Sequence, residues 1–271
     1  MFKKELHPCF SEEAHMRYAR VHLPVARKCN MCCKYCARGL SKTGDHPGLT
    51  AEILCPEKAI EKVQDALKKY PVTVVGIAGP GDALANEETF TTLKLLDKNF
   101  PELLKCMCTN GLLLPQKLEL LKAVHLNALT VTVNAIDKKV AIKLYDFIRY
   151  DGKIIKGEEA CKILIENQYD GVKKAIAAGI AVKINMVLVP KINMEQAVEI
   201  AKRYGAIGTE LMNIMPLIPL AKFRSFKPPT QLQVDTIRAR CEKYIPQFRK
   251  CRRCRADACG IPGEEAKRGL C

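Results

Sequence analysis

"RVHLPVARKCNMCCKYCARG", residues 20–39, opens on a β-rich run (20–26) and then places four cysteines within eight positions. Cys29, Cys33 and Cys36 have the spacing Cys-x3-Cys-x2-Cys, which lets three thiolates converge on one metal centre, and Cys32 is the odd one out. Three ligands are informative. A [4Fe–4S] cluster held by three thiolates keeps one iron open for a substrate or cofactor, whereas a structural zinc site normally takes a fourth protein ligand. A zinc knuckle or a chance group of buried cysteines is the plainer alternative.

Working outward, the same strand begins an alternation. Further β-rich runs lie at 72–78, 103–108, 128–134, 181–189 and 208–215, with helical patterns between them, such as 55–70, where Pro56 is placed to start a helix, and 158–179. Six strand–helix repeats imply parallel strands with right-handed crossovers. The expected fold is α/β, a partial (β/α)6 TIM-like barrel in one domain. Active sites of such sheets lie beyond the carboxyl ends of the strands, which is where the cysteines fall. The expected divisions are an N-terminal extension (1–19), the partial barrel (20–245) and a C-terminal tail (246–271) that follows the last repeat and adds no strand to the core.

Composition limits the alternatives. The chain has 271 residues, enough for a sizeable core. The start, "MFKKELHPCFSEEAH", lacks the apolar core of a signal peptide, and no apolar run approaches a membrane span, so a cytoplasmic protein without membrane association is expected. Fourteen cysteines in such a compartment point to metal or redox chemistry rather than a disulfide framework. The net charge of +15 attracts polyanions in general, so nucleic acid, phosphates and anionic clusters all qualify.

With Tyr35 before its third cysteine, the motif resembles that of the radical S-adenosylmethionine (SAM) superfamily. The resemblance implies a [4Fe–4S] cluster on Cys29, Cys33 and Cys36 whose open iron chelates SAM, so that one electron cleaves SAM to methionine and a 5′-deoxyadenosyl radical. "GIAGPGDALAN" (76–86) then resembles the superfamily's Gly-rich turn, with Gly79, Gly81 and Asp82 receiving SAM and glycine allowing close backbone approach. Thr109, Asn110, Asn134 and Asn185, at strand ends, are candidates for hydrogen bonds to the SAM ribose and carboxylate. Each asparagine has the plainer reading of a turn cap.

"HPCFSEEAHMRYARVHLPVARKCNMCCKYC", "TNGL", "GEEACKILIENQYDGV", "MPLIP" and "CRRCRADACGIPGE" extend the likeness over nearly the whole chain, which resembles the NifB family of nitrogenase cofactor biosynthesis. That resemblance implies an enzyme that fuses two [4Fe–4S] substrate clusters, with a SAM-derived carbide and an added sulfur, into the eight-iron cofactor precursor. Cys9, His22 and Cys106 match the positions that bind one substrate cluster; for His22 the plainer reading is a satisfied core histidine. Cys251 and Cys254, spaced Cys-x2-Cys in a basic tail, are matched to the second cluster, and alone they also suit half a zinc knuckle or a redox pair. Arg249, Lys250, Arg252, Arg253 and Arg255 around them offset cluster charge or form a solvated face.

One segment departs from the family. "SKTGDHPG" (41–48) has Ser41 where many members carry a cysteine, which leaves open the tail cluster's third protein ligand: Asp45 or His46 as substitutes, or a cluster held by fewer residues until fusion. Cys55, Cys161, Cys241, Cys259 and Cys271 match no ligand position and read as structural. The absence of a carrier-like domain after Cys271 implies transfer of the product to a separate carrier or scaffold protein, alongside cluster and electron donors. Two other classes compete: a radical SAM enzyme acting on RNA, against which stand the absence of Trp and the 6% aromatic content, and a non-enzymatic iron–sulfur scaffold.

Overall fold

The computed structural model describes residues 2–264; Cys271 lies outside them. Helix α1 (Glu12–Arg17), capped by the Ser11 side chain, leads into β1 (Ala19–His22). The cysteine segment that follows carries the short strands β2 (Met31–Cys33), β3 (Gly39–Leu40) and β4 (Leu49–Thr50). From there α2 (Pro56–Lys69), β5 (Val72–Ile77), α3 (Glu87–Asn99), β6 (Leu104–Thr109), α4 (Leu114–Ala123) and β7 (Ala128–Thr132) alternate. After α5 (Lys138–Leu144) comes the hairpin β8 (Tyr145–Tyr150) and β9 (Lys153–Ile155). The alternation resumes with α6 (Gly157–Ala177), β10 (Ala181–Leu188), α7 (Gln196–Gly205), β11 (Leu211–Pro216) and α8 (Gln231–Glu242), and the last strand is β12 (Cys259–Gly260).

The main sheet runs β11-β10-β7-β6-β5-β1-β12. Its first six strands are parallel and in sequence order, the partial (β/α)6 barrel expected. Pro56 sits in the first turn of α2, and a capping box of Thr230 and Gln233 starts α8.

Each strand carries two different faces because side chains alternate with period two. Val75, Ile77, Met107, Leu129, Val131, Val182 and Ile184 turn outward into the layer under the helices and are essentially fully buried. Each such burial contributes roughly 1.5–3 kcal/mol. The alternate positions, including His22, Cys106, Cys108, Thr130 and Lys183, turn inward and line a cavity. The apolar outer face holds the barrel together and leaves the inner face free for chemistry.

Two features differ from the expectations. The tail does add a strand: β12 pairs antiparallel with β1, Arg20 opposite Gly260 and Val21 opposite Cys259. The edge of β1 would otherwise expose unpaired backbone groups, and the tail covers it. The second is the hairpin of β8 and β9, turned at Asp151-Gly152 with positive φ at both residues. Its β8 pairs antiparallel with β2, so a hairpin inserted after α5 braces the cysteine segment. Among the described residues no helix is long and apolar enough to cross a membrane.

Candidate functional site

Cys29, Cys33 and Cys36 meet at one end of the sheet in a pocket of about 170 Å³ that also takes in Tyr35, Arg38 and Asp82. The loop is held from below and from the side. The Gly81 N–H donates to the Ala26 carbonyl at 2.6 Å and the Asp82 N–H to the Lys28 carbonyl at 2.9 Å. The Asn86 side chain clamps both backbone groups of Lys28. On the flank, the Arg149 N–H donates to the Asn30 carbonyl at 2.7 Å.

Burial pushes the Cys29 thiol up to about 11, with the Asp82 charge adding to it. Burial also holds Cys33 and Cys36 up, Cys33 further through the neighbouring Cys36 and Cys29 sulfurs. Arg38 opposes this charge; although burial works against its cation, Cys29 and Cys36 raise its pKa. Three mutually repelling thiols with a guanidinium beside them suit a centre that replaces their protons with iron. The donor set fits a three-thiolate [4Fe–4S] cluster.

The other residues expected around SAM separate into two groups. Asp82, Thr109 and Asn110 line the pocket. The Asp82 carboxylate accepts from the Thr109 hydroxyl at 2.9 Å, the Asn110 N–H at 2.6 Å and the Leu84 N–H at 3.0 Å. Burial still raises its pKa to about 6 against those three donors. Gly81 also lines the pocket, but its close approach is to protein rather than to a ligand: a Cβ there would overlap the Lys28 carbonyl.

Asn134 is fully buried, with both ends engaged. Its Nδ2 donates to the Tyr35 hydroxyl at 2.6 Å and its Oδ1 accepts from the Val187 N–H, so it orients Tyr35. Asn185 lies farther round the sheet, where its Oδ1 accepts from Asn213 and its side chain borders the second cavity. Gly79 (φ +124°) shapes the turn without lining the SAM-side pocket.

That second cavity, about 310 Å³, adjoins the first and shares Tyr35, Cys36 and Cys108 with it. It brings together Cys9, His22, Cys106, Cys251 and Cys254, five residues from four segments up to 245 positions apart. Sheet register accounts for two of them. His22, Gly76 and Cys106 are in register on β1, β5 and β6, so the imidazole and the thiol stand on either side of a residue without a side chain. A Cβ on Gly76 would come within 2.8 Å of Cys106 Sγ and 3.5 Å of the His22 ring. With strands about 4.8 Å apart, the glycine leaves a gap roughly two strand spacings wide.

His22 is held as a neutral imidazole. Its Nδ1 lies 3.0 Å from the Arg255 carbonyl, which can only accept, so Nδ1 carries the proton and Nε2 keeps its lone pair. Burial, reinforced by the Arg20 charge, lowers its pKa to about 3.

The tail is clamped in place. Arg20, buried to 1% exposure, donates to the Gly260 carbonyl and to Cys254 Sγ at 3.0 Å. Asp257 accepts from the Thr50 hydroxyl and the Ala51 N–H and pairs with Arg255 at 2.8 Å.

Of the basic residues around Cys251 and Cys254, Arg255 binds the Ser41 and Gly44 carbonyls, Arg249 pairs with Glu242, and Arg253 borders the cavity. Ser41 and Asp45 do not line it, whereas His46 does. Cys161 and Cys241 are buried in the apolar core, in keeping with structural roles, whereas Cys55, the N-cap residue of α2, is exposed and its side chain makes no capping hydrogen bond.

Arg20, His7, Cys108 and Lys183 went unnoticed in the sequence. Lys183 is 4% exposed, and its Nζ donates to the Cys9 carbonyl at 3.0 Å and stands over the rings of Phe10 and Phe248. Alternation along "KCMCTN" puts Cys108 on the same face as Cys106, a usable signal. Among the described residues, no acidic side chain lines this cavity, while Lys183 and Arg253 do. Such walls suit an anionic occupant.

Residues 23–204 match the Radical SAM superfamily. The chain is 48% identical over 260 residues to the FeMo cofactor biosynthesis protein NifB of Methanocaldococcus jannaschii, covering 95% of this chain and 86% of that one. Against the Methanocaldococcus infernus protein of the same name the identity is 47%, over 96% and 86% of the two chains. In fold, the chain is similar to Streptococcus suis SuiB bound to S-adenosylmethionine, with a TM-score of 0.62 at 13% identity over 84% of this chain and 48% of that one. The cysteine triad at the strand end, the partial barrel around it and the two NifB relatives agree: the chain is a radical SAM enzyme and belongs to the NifB family.

Proposed function

We propose that this chain builds the iron–sulfur precursor of the nitrogenase FeMo cofactor, fusing two [4Fe–4S] substrate clusters with a SAM-derived carbide and an added sulfur. The carrying observation is the second cavity, which gathers Cys9, His22, Cys106, Cys251 and Cys254 against walls without acidic residues and adjoins the SAM-side pocket. A donor set rich in thiols suits iron–sulfur clusters.

Cys29, Cys33 and Cys36 would hold the resident cluster, which when bound supplies the electron that cleaves SAM. Asp82, fixed by Thr109 and the Asn110 N–H, presents a carboxylate at the pocket wall, and Tyr35, fixed by Asn134, closes the side shared with the second cavity. In that cavity Cys9, His22 and Cys106 bind one substrate cluster across Gly76, and Cys251 and Cys254 bind the other. Lys183, Arg253 and the Arg20 guanidinium on Cys254 offset the charge of the thiolate-bound clusters. Tyr35, Cys36 and Cys108 are common to the two cavities, so SAM held in the first would lie beside a cluster held in the second.

The setting that goes with this reading is cytoplasmic, with partner proteins to deliver clusters and electrons and a carrier or scaffold to receive the product. SAM labelled in its methyl group tests the reaction. The label is expected in the cluster product, and label found only in methionine and unreacted SAM while fusion proceeds would refute the carbide route.

A further inference from the structure

The second cavity holds one thiol that neither spacing nor likeness assigns. Cys108 is two residues beyond Cys106 on β6, so both sulfurs leave the same face of the strand. In register it stands beside Thr130, and Thr130 stands beside Lys183; all three side chains line the cavity. Cys108 is also one of the residues shared with the SAM-side pocket.

The wall near Cys9 holds a further polar group. His7 is 1% exposed and lines the cavity; its Nδ1 accepts from the Cys9 N–H at 3.1 Å, and its Nε2 has no hydrogen-bond partner.

The donors already assigned are unevenly divided. Cys9, His22 and Cys106 give one cluster three ligands, while Cys251 and Cys254 give the other two. Ser41 does not supply a third, because its hydroxyl accepts from the Gly44 N–H, its carbonyl accepts from Arg255, and it does not border the cavity.

From this geometry we infer that Cys108 Sγ is the third protein ligand of the cluster gripped by Cys251 and Cys254. Thiolate is the donor that iron–sulfur clusters favour, and binding exchanges the thiol proton for an Fe–S bond with no change in oxidation state. The ligand set would then join the tail to β6 and place that cluster on the wall facing SAM.

The inference rests on the cavity receiving clusters, so the experiment separates the two. Wild type, Cys108→Ala, Cys108→Ser and His46→Ala are reconstituted anaerobically with iron and sulfide, desalted, and assayed for iron and for the EPR spectrum of the reduced protein. Wild type should hold about twelve irons and Cys108→Ala about eight, one cubane fewer. Cys108→Ser, which preserves the side-chain volume, should either lose the same cubane or show one shifted spectrum, since oxygen would replace sulfur. Full iron with an unchanged spectrum in both Cys108 variants, or loss of that cubane in His46→Ala alone, would overturn the inference while leaving the cavity's role intact. A wild type holding only about four irons would overturn both.

Discussion

The SAM-side pocket and the cavity beside it are assembled in opposite ways. The first takes its three sulfurs from eight consecutive positions, on a loop fixed by neighbouring backbone. The second takes its donors from residue 9 to residue 254, brought together by the N-terminal segment, two strands of the sheet and a tail that returns to pair with the first strand. A site carried on one loop should survive damage elsewhere, whereas a site assembled from distant segments should respond to changes in any of them, including a residue that contributes no atom to the ligand.

The largest effect is expected at the loop. Replacing Cys29, Cys33 or Cys36 with Ala should bring reductive SAM cleavage to background, measured as 5′-deoxyadenosine, because the centre that binds SAM is lost. Normal cleavage in all three variants would remove the basis for the comparison.

Replacing Cys251 and Cys254 together should cost about four irons and abolish cluster fusion while some 5′-deoxyadenosine still forms. The tail itself should hold, since β12 and the contacts of Asp257 do not depend on either thiol. Loss of the Arg20–Cys254 hydrogen bond should cost about 1–3 kcal/mol, lowering the melting temperature by several degrees. A large drop in stability with full iron retained would make the tail a structural metal site.

Gly76→Ala sharpens the comparison, because it changes no donor. The added methyl would lie 2.8 Å from Cys106 Sγ, in the gap between the two ligand side chains. Loss of about four irons is expected, with the SAM-site cluster retained. Full iron with unchanged EPR would mean that His22 and Cys106 do not share a ligand across the glycine.

The smallest effect is in pH. Burial holds Cys29 and Cys108 up to about 11, so the apo thiols are protonated at pH 7 and binding iron releases their protons. Loading should therefore strengthen as pH rises from 7 toward 9. Loading independent of pH in that range would show that the thiols are already ionised.

The same contrast explains what could be read from the sequence. Period-two alternation with strand-length runs located all six parallel strands, and the cysteine spacing located the loop, because both signals are local. The brace on that loop was missed although "RYDGKII" (149–155) carries an Asp-Gly hairpin signal; a hairpin inserted between two repeats does not disturb the alternation that revealed the barrel. Asn134 and Asn185 look alike at strand ends, yet one orients Tyr35 and the other borders the second cavity, a distinction set by hydrogen-bond partners 28 to 99 residues away. The closure of β1 by β12 was invisible because a two-residue strand has no periodicity, and the value of Gly76 appears only when three strands are set in register.

The central claim, that one chain holds a SAM cluster and two substrate clusters in adjoining cavities, is tested most directly by the iron and sulfide content of the anaerobically reconstituted protein. The account predicts about twelve irons per chain, with a matching sulfide content, for three cubane sites. A stable content of about four irons that further iron and sulfide cannot raise would contradict it, leaving the loop as the one cluster site and the second cavity without its assigned occupants.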